Sequence, residues 1–141
     1  MTTPMSKPRP GPMKLIDATQ YRLPLAAKVS ILHRASGVIM FVLMPFIIWM
    51  FDTSLSSEVS YERFTAAFSV GLGPLPGVLV KLVALALIWS YLHHLVAGLR
   101  HVWMDATHSV TKAQGHSSAV FTFVVSIVLT LALGAKLFGL Y

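Results

Sequence analysis

Histidines offer the most chemistry in this sequence, and two of the six, His93 and His94, lie inside a run of apolar residues. Hydrocarbon solvates ionisable groups poorly, so a histidine placed there marks a functional candidate with a partner to be named. A neutral imidazole offers one ring nitrogen to a metal and donates a hydrogen bond from the other. His94, Gly98, His101 and Asp105 follow one another at steps of four, three and four. At helical spacing these four fall near one face, whereas His93, rotated by ~100°, falls on another. His93 therefore reads as a packing residue. His101 lies near an interface that water reaches, and His108 and His116 read as loop histidines.

Such a face needs a membrane helix to carry it. The chain is 55% hydrophobic and 11% charged over 141 residues, far from the ~25% charged residues of soluble domains. It reads as one domain of an all-α membrane protein. It has no cysteine, which excludes disulfides, thiolate zinc sites, iron–sulfur ligation and covalent c-type haem attachment. Any metal must be held by His, Met or carboxylate. The formal net charge of +6 does not imply nucleic acid, because its basic residues sit mostly in one N-terminal block ahead of an apolar run. That is the pattern of a cytoplasmic flank of membrane helices.

The elements that position the face follow from breakers and hydropathy. Pro4, Pro8, Pro10, Gly11 and Pro12 predict an extended basic tail through Gln20, either solvated or laid as a strap against a soluble partner. The N-terminal tail as a whole covers 1–27, and a three-helix transmembrane domain covers 28–141. Its spans are expected at about 28–51, 77–104 and 119–140. The fully apolar part of the first, 38–51, is too short for a bilayer that needs ~20 residues. The helix must begin earlier, which brings Ser30, His33 and Arg34 to the membrane edge on one face, and Pro45 is a candidate kink. Residues 52–76 form an external loop, acidic and then Gly- and Pro-rich, in which 61–69 has the pattern of a short interfacial helix. Lys81 can snorkel from the second span. Arg100, Asp105, His108, Lys112 and His116 are expected in a polar loop between spans two and three. Trp89 and Trp103 read as interface anchors and the methionines as core filling. The excess of Lys and Arg before span one and in the second loop predicts a cytoplasmic N terminus and an external C terminus.

With the cytoplasmic boundary near Arg100, His94 lies six residues deeper, ~9 Å at ~1.5 Å per residue. Ser30 and Arg34 enter from the same side, so spans one and two can bring Arg34 and His94 into one neighbourhood. A membrane histidine beside a guanidinium suits a b-type haem, with imidazole on the iron and cations at the propionates. Gly98 would leave room for a flat macrocycle or for close helix packing. A hydrogen-bonded packing histidine is the other reading of His94 that the residues allow.

Two motifs then carry a resemblance: SILHRASG, S-x-x-H-R-x-S/T-G, and HLVAGLRHVWMD, H-x-x-x-G-x-R-H-x-x-x-D. In this order, across three spans and behind an Arg-Pro-containing tail, the chain resembles the cytochrome b membrane-anchor family of succinate dehydrogenase, complex II. The resemblance implies that the chain is half of a heterodimeric anchor bundle. It implies that His94 is an axial ligand of haem b, the second ligand coming from the other membrane anchor subunit. Ser30 and Arg34 match residues lining the ubiquinone pocket; Arg34 and His33 match positions near the haem propionates, while His101, a candidate propionate contact, and Asp105 belong to the motif without a settled role. The implied partners are the second anchor, an iron–sulfur subunit, a flavoprotein subunit and membrane lipid, with FAD and iron–sulfur clusters only in those partner subunits. On this reading the chain has no catalytic activity alone. The tail lacks the features of a mitochondrial transit peptide, which favours a bacterial inner membrane. Gly11-Pro12-Met13-Lys14 departs from the family pattern after Arg-Pro. A quinol:fumarate reductase anchor and a haem-free anchor or transporter subunit are the rival readings.

Overall fold

Where prolines and glycines fall decides where each helix starts and stops. The computed structural model describes residues 11, 12 and 14–141, so the expected extended segment 1–10 lies outside the described residues. The expectation of extended chain through Gln20 is corrected at its end, where α1 (Leu15–Gln20) forms a short helix. The breakers stop at Pro12, and the Asp17 carboxylate accepts the Lys14 backbone N–H at 3.0 Å, which caps the turn.

Pro24, with φ −62°, starts α2 (Leu25–Val42), since its missing N–H is an orphan at a helix start anyway. The first span is not continuous. Pro45 has no N–H to give the Phe41 carbonyl and its ring crowds that oxygen, so the ladder stops at Leu43 and restarts as α3 (Met44–Leu55). The external segment holds α4 (Glu58–Ser69), capped by the Ser57 hydroxyl accepting from Ser60 N–H, and a hairpin of β1 (Gly71–Leu72) with β2 (Leu75–Pro76). Gly71, at φ +123°, makes the hairpin possible. A β-carbon on Gly77 would lie 2.6 Å from the Ser69 carbonyl oxygen, so a glycine is needed where the end of α4 meets the next helix.

That helix, α5 (Gly77–Thr107), has 31 residues. His108, at φ +53°, ends it, and after a short turn the Thr111 and Gln114 capping box opens α6 (Lys112–Leu137). The expected polar loop is therefore much shorter than its sequence suggests: Arg100 and Asp105 belong to α5, and His116 to α6. Three helices are long and apolar enough to cross a membrane, α2, α5 and α6. At ~1.5 Å per residue they measure ~27, ~46 and ~39 Å against a hydrocarbon core of ~30 Å.

The buried residues of α5 are Gly77, Val80, Ala84, Leu87, Ser90, His93, Ala97 and Arg100, at steps of three, four, three, three, three, four and three. Their mean spacing falls below the ~3.6 residues of a helical turn, so the stripe winds around α5 as it descends. Near its first end α5 packs on α4, and it also packs on α2 and α6. The α6 side of that contact is built from Gly115, Ala119, Thr122 and Ser126, small residues that let membrane helices approach closely. Val29, Ala97 and Ala119 form the common core of the three spans.

Candidate functional site

The winding stripe separates two adjacent histidines. At this depth it passes through Ser90, His93 and Ala97, so His93 is fully buried among the helices. The His93 ring stacks on Trp89 with centroids 5.3 Å apart and lies 5.7 Å from Phe123. Trp89 is thus a packing partner of His93 rather than an interface anchor, whereas Trp103 is 66% exposed. His93 Nδ1 lies 3.4 Å from the Ser126 hydroxyl, and its Nε2 has no hydrogen bond among the described residues.

His94, one position on, is half-buried and turns to α2. Its Nδ1–H donates to the backbone carbonyl of His33 at 3.0 Å, and Nδ1 is 3.2 Å from Ser36 Oγ. The Ser36 hydroxyl donates to the same His33 carbonyl at 2.8 Å. With the proton on Nδ1 the lone pair is on Nε2, which no hydrogen bond engages among the described residues. A histidine whose second nitrogen is held by a carbonyl is oriented and made more basic as a metal ligand.

Two glycines shape this contact. A β-carbon on Gly37 would sit 3.1 Å from His94 Cε1, so the imidazole lies directly over the α2 backbone. One on Gly98 would sit 3.6 Å from His33 Nε2, so Gly98 serves close helix packing. His33 stacks on His94 at 4.1 Å and is 5.3 Å from His101. Three imidazoles from two helices therefore form one column. They are not a three-ligand metal cluster, and among the described residues no group of three His, Cys, Asp or Glu has that arrangement.

The other expected residues border this column. Ser30 lies one turn before His33 and Arg34 and is half-buried, and Arg34 is exposed. Asp105 is exposed, one turn beyond His101. Sequence reasoning gave no role to Ser36 or Gly37, although both stand in the SILHRASG motif. It also missed Arg100, expected in a loop but only 8% exposed. The Arg100 Nε–H donates to Ser118 Oγ at 2.9 Å and its Nη2–H to the Gly115 carbonyl at 3.3 Å, which ties α5 to the start of α6.

Comparison with known proteins finds sequence matches along nearly the whole chain. Residues 5–133 match the family described as succinate dehydrogenase/fumarate reductase transmembrane subunit. The succinate dehydrogenase cytochrome b556 subunit of Coxiella burnetii is 30% identical over 113 residues, 80% of this chain and 86% of the relative. That of Paracoccus denitrificans is 30% identical over 109 residues, 77% of this chain and 78% of the relative. That of Rickettsia felis is 25% identical over 113 residues. A three-span helical chain with a half-buried histidine column, matched over this length, belongs to the succinate dehydrogenase/fumarate reductase transmembrane subunit family.

Proposed function

We propose that this membrane subunit binds haem b and forms part of the ubiquinone-reduction site of a succinate:quinone oxidoreductase. The observation that carries the reading is the state of His94: Nδ1 held by the His33 carbonyl, Nε2 uncommitted, and the ring lying on the Gly37 backbone. These residues fit a haem. His94 would supply one axial nitrogen, and a second anchor subunit the other. When bound, the haem supplies a one-electron redox centre. His33, His101 and Arg34 stand on the two helices that meet at His94, where cations would oppose the charge of the propionates.

Ser30 and Arg34 act on the quinone. The Ser30 hydroxyl has no hydrogen bond to another side chain among the described residues, and it can donate to a quinone carbonyl oxygen. The Arg34 guanidinium opposes the negative charge that grows on the quinone oxygens as electrons arrive, a role that a low dielectric strengthens. Electrons come from succinate through a flavoprotein subunit and an iron–sulfur subunit, so this chain does not oxidise succinate itself. We place it in a bacterial inner membrane with the N terminus cytoplasmic and the C terminus periplasmic. The family also includes fumarate reductase anchors, which run the same parts in reverse. The names of the curated relatives favour succinate oxidation.

Difference spectra of the purified complex test the reading. A dithionite-reducible b-type band is expected in the wild type and is expected to be lost or weakened in His94→Leu; absence of the band from the wild type would sink the haem assignment. Ser30→Ala and Arg34→Leu should impair quinone reduction while succinate oxidation by an artificial dye persists. Equal loss of both activities would refute the quinone assignment.

A further inference from the structure

Ser36 of SILHRASG has geometry that the function proposed above does not use. The His33 carbonyl oxygen stands at the centre of three donors. The α2 ladder brings it the Gly37 N–H, Ser36 Oγ–H reaches it at 2.8 Å and His94 Nδ1–H at 3.0 Å. A carbonyl oxygen has two lone pairs, so three donors compete for two places. The hydroxyl is the nearer of the two side-chain donors.

We infer that Ser36 is a positioning residue that tunes the His94 ligand by competing with it for the His33 carbonyl. This rests on His94 being a haem ligand. The more fully a carbonyl takes the Nδ1 proton, the more anionic the imidazole becomes and the more it favours the oxidised iron. By drawing on the same oxygen, the Ser36 hydroxyl holds that effect back and keeps the haem potential higher. Ser36 Oγ is also 3.2 Å from Nδ1 and can accept from it, which acts in the opposite sense. Of the two acceptors within reach of Nδ1, the carbonyl at 3.0 Å is nearer than Oγ at 3.2 Å, so competition prevails. Ser36 is fully buried, and no water can take the place of its hydroxyl without repacking.

Potentiometric titration of the haem in the purified complex reads this out, with the ferric low-spin EPR signal as a second measure. Ser36→Ala is expected to keep the haem and shift its midpoint potential negative, with a changed EPR signal. Ser36→Thr, which retains the hydroxyl, is expected to restore the wild-type potential. If Ser36→Ala does not assemble, Ser36→Cys, similar in shape and a weaker donor, should give a smaller shift of the same sign. An unchanged or more positive potential in Ser36→Ala, or in Ser36→Cys where that variant is used, overturns the proposal. Absence of a b-type band from the wild type, or its persistence at full strength in His94→Leu, would overturn the haem reading itself, which separates the two failures.

Discussion

A rotation of ~100° between successive residues of one helix gives His93 and His94 different surroundings. His93 lies in the packed centre with one nitrogen unpartnered among the described residues, and its weak neighbour Ser126 already donates to the Thr122 carbonyl at 2.7 Å. His93→Leu therefore strands no donor, and it is expected to keep the haem spectrum and stay within about 1 kcal/mol of wild-type stability, as thermal melts of the complex would show. Gly37→Ala should do the reverse, because its new β-carbon meets the imidazole at 3.1 Å. Overpacking of this kind costs about 1–3 kcal/mol. The expected result is an assembled complex that loses haem more readily on warming, followed by absorbance. The separate surroundings of the two histidines were legible from spacing alone. The place of Ser36 was not, because it depends on a bond to a histidine 58 positions away that local pattern does not encode.

Helix ends hide more from sequence than helix middles do. The apolar middles of all three spans announced themselves through hydropathy, but the polar residues of 100–116 suggested a long loop where two helices nearly meet. Several polar groups there are used in holding the turn and the helix ends beside it. Thr111 and Gln114 cap α6, and Arg100 spends its donors on Ser118 and Gly115. Arg100→Gln should cost about 1–2 kcal/mol, the scale of interhelical hydrogen bonds in membranes. The expected signature is a lower melting temperature with an unchanged haem spectrum. The short helix α1 was missed for a related reason: prolines dominate the composition of the tail, yet none lies between Lys14 and Tyr21.

For the molecule as a whole, the charge distribution predicts an orientation that fusions can test. A fluorescent protein fused to the N terminus should light up in the cytoplasm, and alkaline phosphatase fused to the C terminus should be active, since it folds only in the periplasm. Activity of the same fusion at the N terminus would reverse the topology. The break at Leu43 bears on the molecule at this scale too. The ladder of α2 is interrupted there, and α3, α4 and the hairpin follow at one end of the bundle, where α4 and the hairpin pack on α5. The histidine column sits wholly on the other side of the break, on α2 and the later half of α5. The link from the outer elements to His94 is instead α5, which packs on α4 near its first end and runs unbroken to the column. Leu43 works as a joint in one rod, and α5 as the strut beside it that keeps the two ends in register.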